Sequence, residues 1–309
     1  MLKCSICKRR NAFYVRRYSG ERLCRKCFSE SIENKVRAAI SKYNMFEFDD
    51  RIAVAVSGGK DSINLLHILS KIESDYPKAS LCAITVDEGI RGYRDEAIRI
   101  AAENCERLGI DQTIISFKEI YGYTLDEIVE KTKDKGLTPC AYCGVLRRRA
   151  MNIAARKASA DKIATAHTLD DEVQTFLLNL FHGDPLRIIR SGPKFTSENP
   201  QLTPRVKPFC MVLERESVLY AYVKGIKFQE TPCPYASEAL RNDMRTYLNR
   251  LEEKHPGIKY TLYRSVERIR EVMASHAERI KLQQCRNCGE PTTGEICQVC
   301  KILDELKSN

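Results

Sequence analysis

The chain has 309 residues, 51 Lys and Arg against 41 Asp and Glu (a formal charge of +10), 14 cysteines and no tryptophan. That length suits one large α/β domain with small appendages, or two domains. The composition excludes a membrane span, because the richest apolar helical run, 63–72, is interrupted by His67, Ser70 and Lys71; the net positive charge favours an anionic partner such as a phosphate backbone.

Taken in chain order, the first thirty residues hold four cysteines, with Gly20 at a turn. A helix is expected over Ser29 to Tyr43, where Ile32, Val36, Ala39 and Ile40 recur at helical spacing. The run IAVAV within Arg51 to Val56 has the continuous apolar character of a buried parallel strand. It breaks at Ser57-Gly58-Gly59 and resumes as a helix with Ile63, Leu66 and Leu69 on one face. A second buried strand, Leu81 to Val86, precedes a helix over Arg94 to Leu108 and a strand from Gln112. Helices follow over Leu125 to Lys135 and Val145 to Ser159, then a strand over Lys162 to His167 and a helix from Leu169 or Asp170 to Phe181. Strands alternating with helices of this length imply βαβ units and a parallel sheet. The segment Gly183 to Pro208, rich in Pro, Gly, Ser and basic residues, reads as a long functional loop. Helices resume over Arg215 to Tyr222, Ser237 to Lys254 and Leu262 to Leu282.

The N-terminus, MLKCSICKRR, carries no apolar signal region, so a cytoplasmic protein is expected. In a reducing compartment, paired CxxC spacings indicate metal or redox chemistry rather than disulfides. Cys4, Cys7, Cys24 and Cys27 form one such quartet; Cys285, Cys288, Cys297 and Cys300 form another. Two CxxC knuckles supply the tetrahedral thiolates that structural Zn²⁺ requires, and each short terminal segment would draw folding energy from the metal. Lys8, Arg9, Arg10, Arg16, Arg17, Arg22, Arg25 and Lys26 surround the first quartet; contact with RNA phosphates and a plain solvated surface are both open readings. Cys140 and Cys143 form a solitary CxxC, with Cys233 as a third ligand candidate. Three protein ligands would leave a coordination position free for chemistry. A redox or persulfide pair at Cys140 and Cys143, and an inert thiol at Cys233, are the competing readings. Cys82, Cys105 and Cys210 have no partner pattern and read as structural.

The loop Ser57-Gly58-Gly59-Lys60-Asp61-Ser62 lies between a buried strand and a helix, where backbone N–H groups and the helix dipole bind phosphate. Its adjacent glycines rule out a Walker A loop. Lys60 and the serines add donors, and Asp61 is placed to help hold Mg²⁺. A simple turn with a helix cap is the alternative. His167 and Asp170-Asp171 stand at the C-terminal end of an expected strand, the edge where open α/β sheets bind ligands; Asp171 is the second candidate, after Asp61, for Mg²⁺ or proton handling. At least one of Arg147, Arg148 and Arg149 is expected to face the site, to meet the pyrophosphate or the tRNA backbone, and the other two a solvated or RNA-facing surface.

AVAVSGGKDS resembles the PP-loop of the ATP pyrophosphatases, an α/β fold with a parallel sheet of the adenine nucleotide alpha hydrolase type. VDEGIRGYRDEA (86–97), PCAYCGVLRRRA (139–150), ATAHTLDDE (164–172) and ETPCPYA (230–236) narrow the resemblance to the tRNA uridine 2-thiolation enzymes. It covers nearly the whole chain, both quartets included. It implies an N-terminal zinc finger over 1–30, a catalytic domain over 31–282 and a C-terminal zinc ribbon over 283–309. It further implies ATP binding at Ala55, Ser57, Gly58, Gly59, Lys60, Asp61 and Ser62, with His167 and Asp170 nearby, and a [4Fe–4S] cluster on Cys140, Cys143 and Cys233 with one iron open to the transferred sulfur. Asp61, the three cysteines, Arg147 and Asp171 are then the catalytic set. The implied reaction is adenylation of a uridine C2 oxygen in tRNA and its replacement by sulfur, with AMP and pyrophosphate as products. GERLCRKCF and CGVLRRRA lean toward the wobble-uridine branch, U34, over the T-loop branch, U54. A ubiquitin-like thiocarboxylate or free sulfide would be the sulfur donor, and homodimers are common among such enzymes. Two rivals remain: a PP-loop ligase or amidotransferase needing no cluster, and a zinc-ribbon RNA-binding protein whose ATP site only regulates binding.

Overall fold

A computed structural model describes residues 2–133, 137–197, 199–236, 240–276 and 282–307, with no side-chain description for 274–276. Two short strands, β1 (Tyr14–Arg16) and β2 (Glu21–Leu23), form an antiparallel hairpin that turns at Gly20. Helix α1 (Arg25–Lys42) starts inside the first quartet, since Cys24 is its N-cap and Cys27 lies in its first turn. The chain therefore passes the 30/31 position in mid-helix, and Cys4, Leu23, Cys24 and Phe28 join the same core as Ile32 and Val36.

The apolar runs form β3 (Arg51–Ala55), β4 (Ser80–Asp87), β5 (Gln112–Ser116) and β6 (Lys162–Ala164), all parallel. Their register places Ala53 opposite Cys82 and Ile163. Side chains alternate across the sheet: Ile52, Val54 and Ala83 enter a core with α1, α2 (Lys60–Glu73) and α9 (Glu214–Lys224), whereas Ala53, Cys82, Ile84 and Val86 enter a second core on the opposite face. That second core holds α5 (Leu125–Lys131), α6 (Pro139–Lys157) and α12 (Gln298–Lys307). Helices α3 (Arg94–Leu108) and α4 (Phe117–Tyr121) lie in the connections, and α7 (Leu169–Phe181) packs against α10 (Leu240–Lys254) and α11 (Ile258–His276).

The segment expected as one long loop, 183–208, is instead partly ordered into helix α8 (Pro185–Arg190) and strands β7 (Lys194–Phe195) and β8 (Arg205–Val206). β8 adds in parallel to β6 and β7 closes the edge antiparallel, giving the order β5-β4-β3-β6-β8-β7. Two-residue strands leave no period to detect, so only the sheet edge reveals them. A second correction concerns α6, which begins at Pro139 rather than Val145; Pro at the first helical position is favourable, and it puts Cys140 and Cys143 in the helix's first turns. The expected ends of three helices, at Lys135, Ser237 and Leu282, involve residues 134–136, 237–239 and 277–281, outside the described residues. A short hairpin, β9 (Gln283–Gln284) with β10 (Pro291–Thr292), carries Cys285 and Cys288 of the second quartet, while Cys297 precedes α12 and Cys300 lies in its first turn. No described helix is long and apolar enough to cross a membrane.

Candidate functional site

The phosphate loop leaves β3 at Ala55 and enters α2 at Lys60. Gly58 has φ +90°, and a Cβ there would lie 2.5 Å from the carbonyl oxygen of Ala97, so both torsion and space require glycine. Ser62 Oγ donates to Gly59 O (2.9 Å) and accepts from Ser57 N (3.1 Å), closing the loop on itself. The buried Arg94 clamps it from outside, donating to Ser57 O (2.9 Å) and Val86 O (2.6 Å). No side chain caps the N-terminus of α2, which leaves its first N–H groups directed at the loop for an anion.

Lys60 Nζ lies 3.0 Å from both Asp61 Oδ2 and Glu214 Oε1. Asp61 Oδ1 is buried and makes no hydrogen bond of normal geometry among the described residues, with the Ser217 side chain close by. Burial, joined by the Asp171 charge and opposed by Lys60, pushes the Asp61 carboxyl up to about 6. A buried carboxylate oxygen with a second carboxylate, Asp171, near enough to act on its charge fits the oxygen ligation that Mg²⁺ prefers. Asp171 uses Oδ2 in the capping box of α7, accepting from Thr168 N and Thr168 Oγ1 at 2.9 Å, and turns Oδ1 toward Arg241 at 3.7 Å. Asp170 is committed elsewhere. It is buried, pairs with Lys259 through Oδ1 and accepts from Glu214 N at 2.7 Å through Oδ2, so it braces α7 against α9 and α11 and has no oxygen turned to the loop. His167 follows β6 and is open to solvent, with Lys207, Asp171, Glu172 and Arg147 near enough to act on its charge. Burial and Lys207 pull its pKa down to about 4, so it is a neutral imidazole at pH 7, with Nδ1 2.9 Å from Thr165 Oγ1.

The middle cysteines meet on the same side. Cys140 and Cys143 come from α6, and Cys233 from the segment after α9. Cys140 Sγ lies 3.6 Å from Tyr235 O, and Cys143 feels the charges of both Cys140 and Cys233. Burial pushes the Cys143 thiol up to about 11, the opposite of the depressed pKa that marks a pre-activated nucleophile. The three sulfurs do not gather as the terminal quartets do: among the described residues only those quartets bring their ligand atoms within 4.8 Å of one another. Three thiols, spread wider than one ion demands and without a fourth, suit a cluster of irons. Arg147 lies among them. Burial works against its charge, but Cys143, Glu88, Cys140 and Cys233 outweigh that and hold it ionised. Its Nη1 is 3.6 Å from Glu88 Oε1, while Arg94 Nε is 2.8 Å from Glu88 Oε2.

The quartets have a different geometry. Sulfur pairs stand 3.9 Å apart at Cys7 and Cys24, 3.8 Å at Cys285 and Cys300, and 3.7 Å at Cys288 and Cys297. A tetrahedron with Zn–S bonds of about 2.3 Å has edges of about 3.8 Å. Backbone N–H groups of Cys297 and Cys300 point at Cys285 Sγ (3.2 Å) and Cys297 Sγ (3.4 Å), as metal-bound thiolates require. Cys82, Cys105 and Cys210 are buried elsewhere. Two sequence expectations need correction. Arg16 is not part of an exposed basic surface, being buried against Glu216. Of the three arginines, Arg147 faces the cleft and Arg148 is exposed, but Arg149 turns into the second quartet. Sequence reasoning missed Glu88, Arg94, Glu214 and Gln229; the first two lay inside the motif 86–97 without an assigned role, and the others carry no local signal.

The site is thus an open cleft at the C-terminal ends of β3, β4 and β6. A cavity of about 780 Å³ between Tyr18, Lys42, Tyr260 and Glu267 shares none of its residues. A family model described as a PP-loop domain matches residues 28–252, and the N-terminal LIM domain of 2-thiouridine synthetase TtuA matches residues 3–29. The chain is 35% identical to the tRNA 2-thiolation protein NcsA of Haloferax volcanii, over 99% of this chain and all of the relative. It is 38% identical to cytoplasmic tRNA 2-thiolation protein 1 of Chlamydomonas reinhardtii, over 98% of this chain and 84% of that one. A solved structure, the U34-tRNA thiolase NcsA from Methanococcus maripaludis with its [4Fe-4S] cluster, superposes with a TM-score of 0.86 at 33% identity, covering 99% of this chain and 97% of that one.

Proposed function

The chain belongs to the PP-loop family of tRNA 2-thiolation proteins, and we propose that it exchanges the C2 oxygen of the wobble uridine, U34, for sulfur after activating that oxygen with ATP. The observation that carries this reading is the convergence of two half-sites on one cleft. The loop from Ser57 to Ser62 contains Asp61 and lies within range of the Asp171 charge; Arg94 bonds its Ser57 carbonyl and pairs with Glu88, and Glu88 in turn meets Arg147, which feels the charges of Cys140, Cys143 and Cys233.

The loop N–H groups and Lys60 bind the ATP phosphates, with Ala55 at the strand end beneath them; Asp61 and Asp171 would hold Mg²⁺, which offsets the charge of the departing pyrophosphate. The uridine C2 oxygen attacks the α phosphorus, pyrophosphate leaves, and the oxygen becomes part of a good leaving group, AMP. Neutral His167, just after β6, accepts or donates a hydrogen bond without bringing a charge. Cys140, Cys143 and Cys233 would hold the [4Fe–4S] cluster, which when bound supplies a sulfur nucleophile at an iron with no protein ligand. Arg147 stabilises the negative charge that gathers beside the three thiolates, and Glu88 fixes its orientation. The terminal quartets would hold one structural zinc each. A base inside folded tRNA must be drawn from its stack to enter the cleft.

Agreement over nearly the full length with a U34-tRNA thiolase supports the wobble position. The cytoplasmic relatives support a cytoplasmic site of action. The sulfur donor, a ubiquitin-like thiocarboxylate or sulfide, and a homodimer are carried forward from the family resemblance as part of the proposal. Mass spectrometry of tRNA fragments from cells with and without the gene tests the target. Loss of 2-thiouridine at the wobble position is expected. Loss in the T-loop would keep the chemistry and overturn the position, and no loss would overturn thiolation in favour of a PP-loop ligase or an RNA-binding protein.

A further inference from the structure

Arg149 leaves the cleft that its neighbour Arg147 enters. Its Nη1 donates to Cys288 Sγ at 3.2 Å and Cys297 Sγ at 3.4 Å, one sulfur from each knuckle of the C-terminal quartet. Its Nη2 stands 3.9 Å from Glu290 Oε1, and the same oxygen accepts from Arg156 Nη2 at 2.6 Å. Glu290 lies between the two knuckles, so two arginines of α6 grip the module at its centre. Beneath them Val299, Ile302 and Leu306 of α12 enter the core that holds Tyr142, Leu146, Ala150 and Ala154 of α6. The quartet is therefore joined to α6 by both polar and apolar contact, and α6 is the helix that presents Cys140 and Cys143.

Four thiolates around a divalent ion leave two surplus negative charges. A guanidinium across two of the sulfurs offsets part of that charge and fixes the orientation of both knuckles, as hydrogen-bond partners behind metal ligands do. The same contact works in reverse on α6. Its N-terminal turn has no side-chain cap among the described residues, and of its first four residues only Tyr142 is buried, so the turn carrying the thiols relies on the body of the helix for its position.

We infer that the C-terminal module braces the helix presenting Cys140 and Cys143, with Arg149 as the positioning residue that couples metal binding in the quartet to retention of the iron–sulfur group. This rests on the reading of Cys140, Cys143 and Cys233 as cluster ligands. The test uses the full chain, loaded with zinc, iron and sulfide without oxygen, as wild type, Arg149→Gln, Arg149→Lys and Glu290→Gln. Zinc release to a chelator is followed with the N-terminal quartet as internal reference, together with iron release and the electron paramagnetic resonance of the reduced protein. Arg149→Gln is expected to release the C-terminal zinc about ten- to a hundredfold faster, to lose iron faster and to alter the resonance, with N-terminal zinc unchanged. Arg149→Lys keeps the charge without the planar fork and should fall between. Glu290→Gln, which leaves Arg149 in place, should move both releases in the same direction and by less. Unchanged zinc release in Arg149→Gln would overturn the coupling. Faster zinc release with wild-type iron retention and resonance would confine the module to its own stability and overturn the brace. A wild-type protein that takes up no iron would overturn the cluster reading itself, and that outcome is visible before any variant is compared.

Discussion

The backbone N–H of Gln229 donates to the carbonyl of Gly58 at 2.9 Å, so the segment that delivers Cys233 is bonded directly to the phosphate loop. Gln229 Nε2 adds a second tie, to Tyr93 O at 2.7 Å. The two half-sites thus share one backbone hydrogen bond, four residues from a proposed cluster ligand. Substituting Gln229→Pro removes that N–H and should impair ATP turnover and iron retention together. Gln229→Ala keeps the backbone bond and should be far milder. Assays of AMP formation and iron content on both variants check this; loss of one property alone in Gln229→Pro would show that the halves are not coupled there. Gly58→Ala should cost about 2 kcal/mol or more of stability, from the positive φ and the approach to Ala97, measurable by denaturant unfolding.

Asp61 sets a pH dependence with a definite sign. Its carboxyl titrates at about 6 when folded, against 3.8 for an unperturbed aspartate, because burial disfavours the charge. Between those values the folded state binds more protons than the unfolded, so this group's contribution to stability falls as pH rises. Magnesium needs the ionised form. Affinity for Mg²⁺ with ATP should therefore climb as pH rises toward and through about 6, then level off. Calorimetric titration on both sides of that value checks it. Asp61→Asn should abolish turnover yet stabilise the free protein at neutral pH by about 1–3 kcal/mol. A variant that is both inactive and less stable would mean the carboxylate is needed for the fold.

The middle cysteines and the quartets should separate cleanly by metal analysis. Cys140→Ala, Cys143→Ala and Cys233→Ala are each expected to lose iron, from about four per chain toward none, while zinc stays at wild-type content. Normal iron in any one of them removes that residue from the ligand set. Full ATP-dependent activity on RNA without iron would support a PP-loop ligase instead.

Much of this site is legible in the sequence because its parts are local. IAVAV followed by SGGKDS announces a strand, a loop and a helix start, and CxxC spacing announces a knuckle. What the sequence hides is direction. Arg147, Arg148 and Arg149 are identical letters in a row, yet successive residues on a helix point about 100° apart. One therefore meets the middle cysteines, one lies exposed near Arg187 and Arg205, and one meets Cys288. Asp170 and Asp171 differ in the same way, one buried on Lys259 and the other capping its helix. Glu214 and Gln229 reach the loop only because α9 and the turn after it pack there, a long-range fact with no periodicity to reveal it.

The N-terminal module is held by a buried ionic group, and that makes its attachment testable. Glu216, with no solvent exposure, accepts from Arg16 Nε at 2.8 Å and Lys35 Nζ at 2.5 Å, and Tyr18 OH lies 3.3 Å away. Arg16 belongs to the β1 strand of the module, while Glu216 and Lys35 belong to α9 and α1. Removing one partner of a buried pair leaves a charge without compensation, at a cost of about 3–5 kcal/mol. Lys35 remains in Arg16→Met, so the low end, about 3 kcal/mol, is expected. The triple variant Arg16→Met, Lys35→Met and Glu216→Gln should recover part of that loss, because no uncompensated charge is then left in the group. Faster zinc release from Cys4, Cys7, Cys24 and Cys27 should accompany the single variant, with the C-terminal quartet unaffected. Denaturant unfolding and chelator kinetics measure both; a single variant no less stable than wild type would place the module's attachment in the apolar contacts of Leu23 and Phe28 instead.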